Sequence, residues 1–448
     1  MKEFRFSDFL SPGRLLTWRR LLWRSQYFPP ERLLELQQRL FRNILRHALA
    51  RVPFYRNWAV ARGLRPEDFR TLDDLRRLPL ITKDMVREHP ESFMADRFQR
   101  CYPSERLTSG TTGTPLRVYW DKASNVLELM CSWRHYSWAG YRVGAPFVDL
   151  RSYLQPLAEG YRWNWRCRGL EVSSDFVQSH PGRDTASLLR RFRVRLWRGN
   201  PTIIEALIHK MNTENVEFPK PLAVVTIGEQ LLPHVRASIS SALGVPVLDQ
   251  YGLMEHNALI CQCPAGGYHV AAEYGLIEIL KEDGTPASPG EEGQIIATGL
   301  HNRAFPLLRY ATRDYAVASD RLCSCGRTLP LVAFISGRND DRVLTPDGRW
   351  VKNMQQAFNG VSGIRQGQII QERDAGLHVY VITTPSFGPE QEALLMRQLR
   401  QKVGRSLPLR IRRVDALPHL AGRKFKFVVN LLNEGTSSPP RLSSPGAE

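Results

Sequence analysis

The chain has 448 residues, 42% apolar and 24% charged, with a formal charge of +18. It is long enough for roughly two or three domains with a sizeable core, and the composition excludes a disordered or fibrous chain. No run of about 18 apolar residues suits a transmembrane helix, Arg14, Arg19, Arg20 and Arg24 interrupt any leader-like segment, and an odd count of seven cysteines argues against a disulfide framework, so the expectation is a cytoplasmic protein.

The basic residues are dispersed along the chain. This fits polyanionic small substrates better than a nucleic-acid groove, so no nucleic-acid partner is expected. Within residues 1–28, Trp18, Leu21, Leu22 and Trp23 suit one face of a short amphipathic helix that packs on the body, although peripheral membrane contact stays open. Pro29 and Pro30 open a helix whose Leu33, Leu36, Leu40, Ile44 and Ala48 recur at helical spacing. The phrases Arg51–Arg56 and Leu78-Pro79-Leu80-Ile81-Thr82-Lys83 follow.

Next comes Leu107-Thr108-Ser109-Gly110-Thr111-Thr112-Gly113-Thr114-Pro115, ahead of the strand-like alternation of Leu116, Val118 and Trp120. A hydroxyl- and glycine-rich turn brings backbone N–H groups close to an anion, and a polyphosphate suits it. An ordinary hairpin loop is the other reading. It is not a Walker loop, because no Gly-Lys-Ser/Thr follows.

Residues 122–142 read as a helix. The aromatics Tyr153, Tyr161, Trp163 and Trp165 are either core or pocket. Leu222–Ile227 is a buried parallel strand ending at Gly228-Glu229, and Val245–Leu248 is another, ending at Asp249-Gln250-Tyr251-Gly252. Such ends line ligand sites at the carboxyl edge of a parallel sheet. Residues 269–280 and 290–300 alternate like strands. Beyond Gly337, residues 365–434 mix short strands with one helix, Pro389–Val403, and 435–448 read as a disordered tail.

Cys261, Cys263, His269, Cys323 and Cys325 form two groups of soft or borderline ligands, enough for zinc. Unliganded thiols in loops are the alternative.

Several phrases together resemble the adenylate-forming (acyl/aryl-CoA ligase) superfamily, in its phenylacetate–CoA ligase-like branch. Thr108–Gly113 resembles the phosphate-binding signature. Tyr251-Gly252-Leu253-Met254-Glu255 matches Tyr-Gly-x-x-Glu, where the ring covers adenine and the carboxylate holds Mg²⁺. Arg309-Tyr310-Ala311-Thr312-Arg313-Asp314 resembles Arg-Tyr-x-Thr-Gly-Asp, whose Asp binds the ribose; Arg313 replaces the usual Gly. Gly337-Arg338-Asn339-Asp340-Asp341 resembles the domain hinge, and Gly422-Arg423-Lys424-Phe425-Lys426 the phrase carrying the adenylation lysine.

The resemblance implies an α/β fold: a large adenylation domain (1–336) with mixed and parallel sheets, and a small mobile α+β lid (337–434). It implies ATP-dependent acyl-adenylate formation followed by transfer to coenzyme A. Lys424, Glu255 and Arg338 are the catalytic residues it assigns. Thr108, Ser109, Gly110, Thr111, Thr112, Gly113, Gly228, Glu229, Gln250, Tyr251, Gly252, Asp314, Arg338 and Asp340 are the nucleotide-binding ones. Glu255 is the Mg²⁺ ligand, and Cys263, His269, Cys323 and Cys325 hold a structural Zn²⁺ with Cys261 spare. Transfer to a carrier protein or an amine is the alternative, and a zinc-stabilised nucleic-acid-binding protein is the alternative of another class. A homodimer is compatible with this reading.

Overall fold

The glycine-ended apolar runs at Val224–Ile227 and Val247–Gly252 are adjacent parallel strands in the middle of a large sheet. In this computed structural model the described residues are 12–101, 103–107, 116–151, 157–165, 167–338, 343–351, 354–358, 360–418 and 426–432. The chain divides into two compact units, residues 1–228 with 243–336, and residues 229–242 with 337–448.

The strands in chain order are β1 (Ser104–Leu107), β2 (Arg117–Trp120), β3 (Phe147–Arg151), β4 (Tyr161–Asn164), β5 (Gly169–Ser173), β6 (Leu196–Gly199), β7 (Val224–Ile227), β8 (Val247–Gly252), β9 (Leu259–Gln262), β10 (Tyr268–Val270), β11 (Gly275–Leu280), β12 (Glu292–Gly299), β13 (Tyr310–Ala318) and β14 (Leu331–Arg338). Among the described residues, twelve strands join in the order β11-β12-β13-β14-β10-β9-β8-β7-β6-β3-β5-β4. β5, β3, β6, β7 and β8 run parallel. β8 then meets β9 antiparallel, and antiparallel pairing carries on through β10, β11, β12 and β13. The parallel strands are mostly apolar, as strands covered by helices are.

The helix expected over residues 122–142 spans Lys122–Ser137. Asp121 caps it, its Oδ1 accepting from Ser124 N at 2.6 Å. Val126, Leu127 and Met130 on this helix share a core with Leu196, Val225 and Leu248 of the sheet. Pro30–Arg51 is the predicted helix with Leu33, Leu36, Ile44 and Ala48 buried, and its Phe41, Ile44 and Ala48 join a second core with Tyr55, Leu116 and Tyr310.

The N-terminal helix Pro12–Ser25 turns its apolar side inward, with Leu22 buried. The Arg134–Glu273 pair anchors it. The two side chains are 2% and 0% exposed and meet at 2.7 Å and 3.2 Å. Arg134 Nη1 also donates to Leu22 O, and Ser25 Oγ donates to Glu273. The expected packing on the body is therefore what this helix does.

In the second unit, β15 (Val343–Leu344) pairs with β16 (Trp350–Val351). β17 (Ile364–Gln371), β18 (Leu377–Thr383), β19 (Leu409–Arg413) and β20 (Val428–Asn430) form a sheet in the order β19-β18-β17-β20. The helix Pro389–Val403 has the predicted bounds and buries Leu395, Leu399 and Val403. Buried Gln371 bonds to Leu344 N and O, tying the small β15–β16 hairpin to this sheet. The tail expected over 435–448 lies outside the described residues.

Candidate active site

The hydroxyl- and glycine-rich loop connects β1 and β2, which pair antiparallel with Leu107 opposite Arg117. Thr108, Ser109, Gly110, Thr111, Thr112 and Gly113 themselves lie outside the described residues, as do Asp340 and Lys424. The alternation after the loop holds: Leu116 and Val118 are buried. Trp120 anchors the loop's exit, its indole donating to Met254 O at 2.6 Å. Arg338 closes β14, and Gly228 follows β7 with φ +76°, a conformation that suits glycine.

Gln250, Tyr251 and Gly252 end β8, the last parallel strand, and the turn after it presents Glu255. Opposite them β13 is interrupted. Gln294 pairs with Tyr315 and Ile296 with Ala311, so Thr312, Arg313 and Asp314 together face only Ile295. The bulge is held by Thr312 Oγ1, which donates to Ile295 O at 2.8 Å and accepts from Asp314 N at 3.0 Å. A bulge re-aims the side chains it carries. Here it places Asp314 Oδ2 2.7 Å from the hydroxyl of Tyr251. Burial and the Asp314 charge push the Tyr251 phenol far above its ordinary range, so it donates.

Tyr310, four residues earlier, donates to Glu255 Oε1 at 3.0 Å. Burial raises the Glu255 carboxyl above its ordinary value; the Tyr310 bond and Lys83 oppose this, and Asp314 adds to it. Two carboxylates thus share one buried tract, an acceptor-rich arrangement suited to a hard cation and to hydroxyl donors.

Several supporting residues lie in phrases that the sequence singled out without giving them a role of their own. Arg309 is 7% exposed and left-handed at φ +52°. It donates to Glu278 at 3.0 Å and 3.1 Å and to the carbonyls of Arg76 and Leu78 at 2.9 Å and 2.8 Å. Ile81 bridges in parallel to Tyr310, with Ile81 N bonding to Arg309 O and Ala311 N to Ile81 O. The phrase Leu78–Lys83 is thereby stitched to β13, which bears Asp314 and the Tyr310 that bonds to Glu255. Thr82 caps the short helix Lys83–Glu88, bringing Lys83 near Glu255 and letting Asp84 pair with Arg313. Arg313 occupies the left-handed region, φ +65°, where glycine is the easier residue.

The second cluster is Cys263, His269, Cys323 and Cys325, whose ligand atoms all lie within 4.8 Å of one another. Tight turns make it: Cys263 N bonds to Gly267 O, and Gly326 N to Cys323 O. A Cβ at Gly267 would come 2.8 Å from Cys323 Sγ, so any larger residue there would have to displace that sulfur. Cys263 Sγ and Cys323 Sγ are 3.5 Å apart, and Cys325 Sγ and His269 Nε2 3.3 Å. These are close to the ~3.8 Å edge of a tetrahedron with ~2.3 Å metal–sulfur bonds.

His269 Nδ1 faces Leu329 O at 3.3 Å, and burial lowers the imidazole pKa to about 4. A neutral ring donating from Nδ1 offers Nε2 to a metal. The donor set and its spacing fit zinc. Cys261 sits apart on β9, in the core that includes Cys131 and Tyr274, and burial pushes its thiol to about 12.

The fold is that of an adenylate-forming CoA ligase. A 2-hydroxyisobutyryl-CoA ligase, solved in its postadenylation state with R3-HIB-AMP, superposes with a TM-score of 0.75 at 17% identity, covering 91% of each chain. Phenylacetate-coenzyme A ligases of Escherichia coli K12 and Thermus thermophilus are 30% identical over 339 residues and 29% over 329 residues. They cover 70% of this chain in both cases, and it covers 73% and 72% of theirs. Residues 343–431 match the CapK C-terminal domain family. The chain belongs to the phenylacetate–CoA ligase family.

Proposed function

We propose that this protein activates a carboxylic acid with ATP and passes the acyl group to coenzyme A. A carboxylate oxygen attacks the α-phosphorus of ATP, forming the acyl-adenylate and expelling pyrophosphate. The thiolate sulfur of coenzyme A then attacks the acyl carbon, and AMP leaves with the bonding electrons. The observation that carries this reading is the convergence of Tyr251 on Asp314 and of Tyr310 on Glu255, inside a family of CoA ligases.

Asp314 accepts from the ribose hydroxyls, and the Tyr251 ring lies against the adenine. Glu255 holds Mg²⁺, which neutralises phosphate charge when bound. The phosphates bind at Thr108–Gly113, and Lys424 meets the oxygens that gain charge during adenylation, as the resemblance implies. Arg338 and Asp340 belong to the hinge between an adenylation domain and a mobile lid.

Cys263, His269, Cys323 and Cys325 hold a structural zinc, with no ligand position left for chemistry. It would pin the segment after Glu255 to the segment after Asp314. Six cysteines among the described residues form no disulfide, which supports a reducing, cytoplasmic setting. No helix among the described residues is long and apolar enough to cross a membrane.

A pyrophosphate-release screen over aryl, fatty and amino acids tests the first step. Dependence on coenzyme A separates this reading from transfer to a carrier protein or an amine. Absence of acid-dependent pyrophosphate release from ATP would overturn it and reopen the nucleic-acid-binding alternative.

A further inference from the structure

A buried charged layer lies between the helix Lys122–Ser137 and the parallel strands. Asp149 of β3, Arg198 of β6, Val225 of β7 and Leu248 of β8 stand in one register row across the sheet. Val225 and Leu248 pack against the helix, so Asp149 and Arg198 interrupt an otherwise apolar face. Asp149 Oδ2 accepts from Arg198 at 3.2 Å and from Arg151 at 2.8 Å. Arg198 Nε is buried with no hydrogen-bond partner.

From the helix, Glu128 enters the same layer. Its Oε2 accepts from the Tyr274 hydroxyl at 2.8 Å and lies 2.5 Å from His256 Nε2. Nδ1 of His256 has no hydrogen-bond partner although His256 is 3% exposed. His256 directly follows Glu255. Its ring stacks on Trp120, centroids 3.7 Å apart, beside the exit of the phosphate loop. The layer therefore begins one residue from the proposed metal ligand and continues from Glu128 to Arg198 and Asp149 of the sheet.

Of the two carboxylates in this layer, Glu128 is the accessible one; the Asp149 side chain is 5% exposed. The Glu128 side chain is 29% exposed while that of His256 is 1%. Oε1 takes no hydrogen bond among the described residues. Burial pushes its carboxyl up, but His256, Tyr274 and Arg198 outweigh that and hold it below the ordinary range, so it is an anion at neutral pH. An ionised carboxylate is acceptor-only. A plain aryl or alkyl group placed against it would remove water from Oε1 without replacing the lost bonds, which is costly. A group carrying a donor would restore the bond.

We propose that Glu128 is a specificity-determining residue, and that the acid activated here carries a hydroxyl or amino donor on its acyl portion. This rests on the carboxylate-activating reading above. It also separates the chain from its named relatives, because phenylacetate lacks such a donor.

The test is ATP–pyrophosphate exchange with matched acids that differ only by a hydroxyl or an amino group, in phenylacetate and straight-chain series. The parent should prefer a donor-bearing acid over its plain counterpart by about ten- to a hundredfold in kcat/KM, the worth of a charged hydrogen bond. Glu128→Leu should shrink that ratio at least about tenfold. Glu128→Gln should shrink it more for amines than for hydroxyls, because an amide keeps an acceptor and loses the charge. Where a variant fails to fold, the parent's own preference decides. Exchange with plain acids as fast as with every donor-bearing partner overturns this proposal alone. Exchange with no acid at all overturns the activating reading and this proposal with it.

Discussion

Glu255→Gln separates the proposed metal-binding charge from the fold. Glu255 is 9% exposed, and burial raises its carboxyl above the ordinary value of 4.5. A carboxyl whose pKa rises on folding favours the folded state below its unfolded pKa. That contribution is lost as pH climbs through the raised folded pKa. At neutral pH the ionised group is thus a cost to the nucleotide-free protein.

Glutamine keeps an oxygen for the Tyr310 hydroxyl, now 3.0 Å from Oε1, and removes the charge. The unliganded variant should therefore unfold at a urea concentration no lower than the parent. Catalysis should move the other way. Removing one charged or donor contact aimed at developing charge costs about 3–4 kcal/mol, or two to three orders of magnitude in rate. Magnesium-titrated ATP–pyrophosphate exchange reads this directly. Exchange by the parent should also fall with decreasing pH at a value above that of an ordinary glutamate, because protons and metal compete for one group. Turnover within about threefold of the parent at subsaturating magnesium would refute the assignment. A large loss of stability would refute the argument that the charge, and not the shape, is what the fold tolerates.

The remaining predictions concern the metal, the odd arginine, the lysine and the buried ion pair. Protein purified without chelator should carry about one zinc per chain by plasma mass spectrometry, and Cys323→Ser should lose it and melt lower while the folded remainder keeps its affinity for ATP; no zinc in the parent rejects the site. Arg313→Gly should change stability by less than about 1 kcal/mol, because strain relief offsets an exposed ion pair, and should raise the KM for ATP or acid; higher activity would make Arg313 merely a poor residue there. Lys424→Ala should slow acyl-adenylate formation by orders of magnitude and spare thioester formation from supplied acyl-adenylate, with Lys426→Ala doing much less; equal loss in both half-reactions points to misfolding. Glu273→Gln should cost about 3–5 kcal/mol by urea unfolding, since it leaves Arg134 buried without its counter-charge; a cost under about 1 kcal/mol would mean that water reaches the guanidinium.

What was legible in the chain was local. Prolines and a 3.6-residue period define Pro30–Arg51 and Pro389–Val403 without reference to anything distant. An apolar run ending in glycine defines β7, and β8 follows the same logic. The aromatics Tyr161 and Trp163 could not be assigned to core or pocket from the sequence because their place is set by partners elsewhere. Tyr161 and Trp163 lie on the edge strand β4 and pack against Phe176 and Phe192. The cysteines show the same limit. Spacing offers five ligands, and the choice of four came from the resemblance. Geometry adds the physical reason: Cys261 is held on a strand against the core, whereas Cys263 sits in the turn that faces His269.

Arg313 marks the boundary between what a sequence can say and what only pairing reveals. Its place in the motif implies a backbone turn that glycine makes freely, and an arginine there carries strain of order 1 kcal/mol. From the sequence it follows that a compensating phosphate or carboxylate contact is needed. Which group supplies it does not follow. The carboxylate is Asp84, 229 residues earlier, on a short helix that Thr82 caps and that the Ile81–Tyr310 bridge holds against the same strand. Both side chains are nearly half exposed, 43% and 48%, so the pair contributes little by itself. Its effect is on geometry: it ties the bulge bearing Asp314 to the segment bearing Lys83, whose charge reaches Glu255. An arginine in the family's glycine position thus couples the proposed ribose and metal ligands through one surface contact. That is why Arg313→Gly is expected to alter substrate affinity while leaving the fold nearly as stable.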